Sequence, residues 1–460
     1  MTEPDRRFFG HPRGLAFIVF TEAWERFSFY GMQALLMLYM VKHLLQPGSI
    51  EKVAGLSALR GLLEAMTGPL STQAFASLTF GIYVAMVYVL PIFGGLAGDR
   101  VLGQRRAVIL GAVAMALGHF LMAFETAYLY ALLALIVGSG LLKGNLVAQV
   151  GQLYGKGDAR RSAGFSMYAV SINIGAVIGP LVCGTLGEKV GWHYGFTAAG
   201  IGMLIGLAIY LAGSREMPAD QLTQRERIRL QPEDWRPIKA LFVMFLIHTL
   251  YWIAQTQVWN TYPLWIESRV SRHVLGWEVP VTWFQSLDSF TVLALAPIVI
   301  WLWRRQAQRG VEPGDLGKIA IGCAFFGTAC LALFMGERLA GTGQVALLWP
   351  VLFHLVCALG YLFVFPVALA LFSRTAPPSV NGMMAGVCYL SLGVGSVISG
   401  WLGRFYEMMT PGNFWLMHGI IVGTGTVLLL LLRGPLGRAL ESSNTRALRT
   451  EAPLAASIGS

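Results

Sequence analysis

The sequence predicts an all-α, polytopic membrane protein on three observations. Hydrophobic residues make up 55% of the 460 positions and charged residues only 13%, about half the share that clothes a soluble domain in water. Mean hydropathy is +0.60. Nearly uncharged runs recur along the chain at about twenty residues, the length of helix that crosses a hydrocarbon core. Together these exclude a cytosolic enzyme, a secreted disulfide scaffold and a disordered chain. The cysteines (Cys183, Cys323, Cys330, Cys357, Cys388) fall singly inside apolar runs. Without CxxC or paired spacing they read as small packing residues rather than bridges or metal ligands. Met1 to Arg13 is polar and basic and enters an apolar run without a small-residue cleavage site, so no cleavable signal peptide is expected.

Reading apolar runs between charged or Gly/Pro breaks gives twelve spans, near 14–42, 71–98, 107–124, 127–151, 162–186, 194–213, 238–266, 281–303, 319–336, 346–372, 383–403 and 413–432. With the N-terminus taken as cytoplasmic, 24 Lys and Arg fall on the cytoplasmic side and 8 on the other, with Arg26 and Lys143 inside spans. That threefold bias orients both termini inward, in the plasma (bacterial inner) membrane. The net charge of +10 is thus mostly a topology signal, and no nucleic-acid partner is expected. The longest polar connection, Ser214 to Arg236, carries Arg225, Arg227, Arg229, Glu233 and Asp234 and splits the spans six and six. The expected organisation is a six-helix bundle over 1–213, a cytoplasmic linker over 214–237, a second bundle over 238–435 and a disordered tail over 436–460. The halves echo one another: Pro91-Ile92 precedes Arg100, Arg105 and Arg106, and Pro297-Ile298 precedes Arg304, Arg305 and Arg309. A six-plus-six repeat with a cytoplasmic bridge resembles the major facilitator architecture, which places a site at mid-membrane between the halves.

Ionisable residues in lipid cost about 2.5–3.5 kcal/mol each on insertion scales, so each raises a functional hypothesis. Glu22, Glu25 and Arg26 sit at i, i+3 and i+4 of the first span and share one helix face. An arginine cannot discharge by losing its proton, whereas a glutamate discharges by gaining one. If an anionic substrate group draws on Arg26, the glutamates lose counter-charge and bind protons more tightly, which links substrate to proton. The alternative is a static ion pair that fixes helix packing. Lys143, in Gly140-Leu141-Leu142-Lys143-Gly144-Asn145, lies too deep to snorkel, which favours a substrate or gate role over an anchor. Asp288 binds a cation or proton, or pairs with Lys143 or Arg26 across the halves.

Weaker signals surround these. Asp99, Arg100, Arg105 and Arg106 form a charged hairpin suited to a salt-bridge latch between helix ends; no Gly-Lys-Ser/Thr follows, so it is no phosphate loop. His119, His248, His354 and His418 are scattered singly and read as hydrogen-bonded packing residues, with His248 or His354 the candidates to face a cavity. Tyr30, Tyr83, Tyr88, Tyr168, Trp252 and Trp259 either line a pocket or fill helix interfaces. No nucleophile–base set or metal-ligand spacing appears, so an enzyme is not expected.

The stretch Glu22-Ala23-Trp24-Glu25-Arg26-Phe27-Ser28-Phe29-Tyr30-Gly31 resembles the ExxERFxYYG signature of the proton-dependent oligopeptide transporter family. Gly94–Arg106 resembles that family's GG-x-x-ADR-x-x-G-x-R segment, and Gly140–Asn145 its Lys-Pro-Asn lysine motif. Gly164-Phe165-Ser166-Met167-Tyr168 through Ile172-Asn173-Ile174-Gly175, Pro180-Leu181, Gly191-Trp192 and Gly195-Phe196 is similar to its span 5 to 6 signature. The resemblance covers most of 14–210 and thins out through Phe284–Leu287 and Ala376–Ser391. It implies a major facilitator fold, alternating access, and uptake of di- and tripeptides with protons as coupling ion and no other cofactor. It implies Glu22 and Glu25 as proton-coupling acids, Arg26 and Lys143 as ligands of the substrate carboxylate, and Tyr30, Tyr83 and Asn173 as pocket residues.

The C-terminal half departs from the family pattern. An arginine expected in span 1 is Gln33, and its span 7 glutamate partner aligns with Thr256, so both members of one salt bridge are missing together. The span 10 glutamate that would clasp a peptide's amino group aligns with Tyr361, the span 8 asparagine-proline with Asp288-Ser289, and the span 11 tryptophan with Cys388. A peptide zwitterion needs an anion for its ammonium, and Asp288 is the nearest replacement. It either takes that role or compensates Lys143. If it does neither, the ligand is a monoanion, a blocked peptide or a modified amino acid. The leading expectation is therefore a proton-coupled symporter of short peptides or peptide-like carboxylates. The alternatives are a facilitator or antiporter for another organic anion or drug-like solute, and a receptor-like membrane protein without flux. A monomer is compatible with the sequence, which does not fix the oligomeric state.

Overall fold

The computed structural model describes residues 8–155, 158–220, 222, 232–376 and 381–440. Its helices are α1 (Arg13–Tyr39), α2 (Leu56–Thr67), α3 (Thr72–Ala97), α4 (Gln104–Leu121), α5 (Tyr128–Gln152), α6 (Arg160–Gly179), α7 (Thr185–Lys189), α8 (Trp192–Ala212), α9 (Trp235–Gln255), α10 (Tyr262–Arg269), α11 (Trp283–Gln308), α12 (Asp315–Ala340), α13 (Leu348–Thr375), α14 (Asn381–Leu402) and α15 (Pro411–Leu440). A two-residue hairpin, β1 (His273–Val274) with β2 (Trp277–Glu278), joins α10 to α11. Ten helical segments among the described residues are long and apolar enough to cross a membrane. The first and third spans are the exceptions. The apolar run of α1 is interrupted by Glu22, Glu25 and Arg26, and α4 has 18 residues and opens on Arg105-Arg106, about 27 Å of helix. With them, and with α6–α7 and α9–α10 each forming one crossing, the fold has twelve.

Their pairing repeats. In the first half α1 packs on α6 and α8, α4 on α5 and α8, and α3 on α5. In the second, α9 packs on α14 and α15, α12 on α13 and α15, and α11 on α13. Advancing each first-half crossing by six produces the second set. Between the halves α3 meets α14 and α6 meets α11, a pair of contacts that the same shift exchanges. Pro91 and Pro297 sit inside the corresponding helices α3 and α11, where each removes one backbone hydrogen bond of the ladder.

Two elements were not visible as apolar runs. α2 is 12 residues long, about 18 Å and too short to cross. Leu56 and Leu63 are buried while Leu62 and Met66 stay exposed, so it lies along the surface. Arg60 Nε donates to Glu64 Oε1 at 2.9 Å and the Leu70 N–H reaches the same oxygen, which holds the Glu64 carboxyl below the usual range. The expected disordered tail from 436 is also corrected at its start. α15 continues to Leu440 because Leu436 and Leu440, four apart, return to its buried face. Residues 441–460 lie outside the described residues, as do 221 and 223–231 of the expected linker.

The face opposite the termini is sealed by polar links between halves. Lys42 pairs with Glu267, Lys189 with Glu278 at 3.2 Å, and Ser71 with Glu407. Arg404 donates to the carbonyls of Thr67 and Pro69, and Asn260 to that of Ser77. Glu188, from α7, accepts from the Val281 and Thr282 N–H groups at 2.8 and 2.9 Å and from Thr282 Oγ1 at 2.7 Å. A carboxylate there satisfies orphan donors at the start of α11 and meets the positive end of its dipole. Charge-assisted hydrogen bonds are worth about 1.5–3 kcal/mol, so Glu188→Ala is expected to shift the closed–open balance of this face about tenfold or more towards open. Spin labels at the exposed positions Gln46 and Leu275 will report it as a longer inter-label distance, and an unchanged distribution would deny Glu188 the role.

Candidate functional site

The buried charges of α1 face α6. Arg26 Nε donates to Glu22 Oε1 at 2.6 Å and lies 2.9 Å from Glu25 Oε2. Both glutamates have no exposed surface and Arg26 has 7%. The acceptor capacity is not used up: Glu22 Oε2 and both Glu25 oxygens have no hydrogen-bond partner among the described residues. Tyr168 stands beside Glu22 and Tyr83 beside Glu25, and the Tyr83 hydroxyl is likewise unpartnered. α6 comes this close because Gly175 has no side chain. A Cβ there would meet the Ala23 carbonyl and stand 2.6 Å from Arg26 Cβ.

Lys143 enters from α5. Its ammonium is buried without a hydrogen-bond partner among the described residues and hangs 3.9 Å from the Phe29 ring centroid and 5.1 Å from that of Tyr88. Aromatic faces stabilise such a cation by about 2 kcal/mol when desolvated, less than a direct anion would. Arg26, Glu22 and Glu25 are its charged neighbours. Asn145, two residues on, donates to the Gly94 carbonyl at 2.9 Å. The α3–α5 contact there is so tight that a Cβ on Gly94 would strike the Gly140 carbonyl. One turn of motif thus fixes α5 on α3 and aims Lys143 inward.

The remaining expected pocket residues fall into an aromatic belt and its margins. Tyr30 packs on Trp259 at 5.3 Å and neighbours Tyr88. Tyr88 stacks on Tyr389 at 6.5 Å across the halves, and Tyr361 adjoins both. Asn173 is half-buried and donates to the Ala169 carbonyl of its own helix. Gln33 is buried with Oε1 unpartnered, while Thr256 bonds Ser396 at 3.2 Å. The vacated salt-bridge positions therefore hold neutral residues with separate surroundings.

Asp288 is where the structure differs most from the sequence reading. Neither Lys143 nor Arg26 bonds it. Asp288 Oδ1 lies 3.4 Å from His354 Nδ1 and accepts from Cys357 Sγ at 3.6 Å, because Thr291 Oγ1 ties α11 to α13 through the carbonyls of Asp288 and His354. His354 is fully buried and shares a 3.0 Å hydrogen bond with the Tyr262 hydroxyl. His354 is thus hydrogen-bonded through both ring nitrogens, one of them to a carboxylate. His354, Cys357 and Tyr361 recur at i, i+3 and i+7 on one face of α13, but that spacing does not reveal the carboxylate on α11 that the face meets. Of the other histidines, His248 bonds Ser391 and His418 the Phe414 carbonyl, as packing residues do. At the terminus face, Asp99 accepts from Gln104 instead of pairing with an arginine. Arg105 grips Asp220 through its N–H and the carbonyls of Met217 and Pro218 through its side chain. Arg100 and Arg106 are exposed.

The sequence pattern of the Major Facilitator Superfamily matches residues 26–400. The chain belongs to that superfamily. Within it the protein is a divergent member of the proton-dependent oligopeptide transporter (POT) family. A di-/tripeptide transporter of Lactococcus lactis subsp. cremoris is 29% identical over 95% of this chain and 98% of its own. A peptide transporter of Yersinia enterocolitica is 29% identical over 94% and 96%. A crystal structure of a POT peptide transporter with alafosfalin superposes with a TM-score of 0.84 at 28% identity, covering 95% of this chain and 98% of that one. A POT family transporter with 5-aminolevulinic acid gives 0.81 at 25%, covering 94% and 98%. The POT protein is thus a multi-pass membrane transporter. Gly175→Val is expected to cost about 1–3 kcal/mol by overpacking and to push Arg26 off its glutamates. Thermal unfolding in detergent will show the loss, whereas the same change at the uncrowded Gly61 leaves the transition in place.

Proposed function

We propose that the protein is a symporter that imports di- and tripeptides or peptide-like carboxylates with protons by alternating access, both termini lying in the cytoplasm. The observation that carries this reading is a buried ammonium, Lys143, with no hydrogen-bond partner among the described residues, beside an arginine shared by two acids. A substrate carboxylate satisfies Lys143 and takes part of Arg26's charge. Glu22 and Glu25 are then buried acids with less counter-charge, and their neutral, protonated forms gain. Substrate and proton therefore bind together, the requirement of symport. Tyr30, Tyr83 and Asn173 complete the pocket wall in this reading, and Gln33, Thr256 and Tyr361 face it from where other members carry charge. Asp288 receives the ammonium. Relatives named di-/tripeptide transporters and the ligand-bound POT structures support the substrate class. The Lys/Arg asymmetry of the loops supports the orientation.

A second reading, a facilitator or antiporter for an organic monoanion, draws on Asp288. Its carboxylate is already engaged by His354, and Tyr361 offers no charge to an amine. A receptor-like protein would bind without flux. Uptake of labelled dialanine into proteoliposomes separates all three. Gradient-driven accumulation is expected in the wild type. Glu22→Gln or Glu25→Gln is expected to abolish it while counterflow exchange persists. Lys143→Ala is expected to weaken affinity about 10- to 100-fold, the worth of a hydrogen bond to a charged group. Accumulation indifferent to the gradient would favour the facilitator, and binding without flux the receptor.

A further inference from the structure

The C-terminal half contains a second buried ionisable unit that the coupling scheme above does not use. Asp288 is 9% exposed, and His354, Tyr262 and Cys357 are fully buried. The imidazole is held between a carboxylate on Nδ1 and a phenol on Nε2. Around it Tyr262 packs on Phe353 at 5.1 Å, Trp265 at 5.6 Å and Trp415 at 5.9 Å, an aromatic box that leaves little room for water.

Among the described residues, the titratable groups facing the pair from the neighbouring helices are weak acids. α9 presents Tyr251, α10 Tyr262, and α13 Cys357 and Tyr361, while Cys323 and Cys330 of α12 lie behind Tyr251 and Cys357. α6 meets this end of α11 through the Val177 carbonyl, which accepts from Ser286. His354 is the one base in the set. A lone carboxylate in such a place carries a desolvation cost of several kcal/mol unless a cation answers it, and a protonated His354 is the cation at hand.

We propose that Asp288, His354 and Tyr262 form a proton-binding site in which a proton on His354 and the ammonium group of a substrate compete for the Asp288 carboxylate. Asp288 is suited to both. Oδ1 faces His354, and a further neighbour, Tyr361, adjoins the aromatic belt and Arg26. Without an amine, the imidazolium neutralises Asp288, and its Nε2–H donates to the Tyr262 oxygen. When an ammonium reaches Asp288, two cations oppose one carboxylate in a dry site. The proton then leaves His354 Nδ1 by way of Asp288 to the cavity, and the Nε2–H of the neutral imidazole still donates to the Tyr262 oxygen. A substrate without a free amine leaves that proton in place. The number of protons carried thus depends on the ligand: an N-blocked peptide travels with about one more than its zwitterionic parent. The competition rests on the amine-binding role given to Asp288 above; the proton site itself does not.

Two measurements separate these claims. With isotope-labelled histidine, the NMR signal assigned to His354 by its loss in His354→Gln is expected to pass from the neutral to the imidazolium position on acidification of ligand-free protein. A His354 that stays neutral throughout would overturn the proton site, whatever the substrate. Calorimetric binding in buffers of different ionisation enthalpy then counts protons for dialanine and N-acetyl-dialanine. About one proton more is expected to be released with dialanine in the wild type, and the difference is expected to vanish in His354→Gln and Asp288→Asn and to shrink in Tyr262→Phe. Equal counts for the two ligands in the wild type, or a difference that survives in His354→Gln, would overturn the competition. A titrating His354 in a protein that binds neither ligand would remove the peptide reading and leave the proton site standing.

Discussion

A guanidinium held between two carboxylates inside a bilayer is the constraint to which the rest of this molecule answers. Arg26 cannot be neutral, and removing one member of such a buried set costs about 3–5 kcal/mol. Glu22 and Glu25 must therefore stay within reach, one turn or less away on the same helix. α6 presents Gly175 to them, and Tyr168 and Tyr83 border them. The first half of the chain packs around that demand.

The second half answers a different question with different residues. Where the first half sets Arg26 between two acids, the second sets Asp288 beside His354. Gln33 and Thr256 are neutral, and the links that close the distal face are spread over Lys42, Glu188, Lys189 and Arg404. Glu188 illustrates how little charge is needed when backbone N–H groups at a helix start are already oriented: three donors meet one carboxylate.

Much of this was legible in the sequence and some was not, for identifiable reasons. Twelve crossings follow from apolar run length, and the α1 cluster from three charges where lipid forbids them. The placing of Lys143 beside the Arg26 cluster followed from the resemblance of short motifs. α2 escaped because a surface helix of twelve residues alternates rather than accumulates apolar residues. The start of the tail was misjudged because Arg433 and Pro435 look like an ending, while Leu436 and Leu440 still find a buried face. Asp288 was recognised as significant, but its partner lies 66 positions away on another helix, and no spacing rule predicts which of two neighbouring cations or bases a carboxylate will meet. Helix register decides that, and register is a property of packing.

Between the halves the helices that meet are α3 with α14 and α6 with α11. These two seams exchange under the relation that carries one half into the other, so any swing of the halves is a roll about a symmetric pair of contacts, and its direction follows from how those two seams pack.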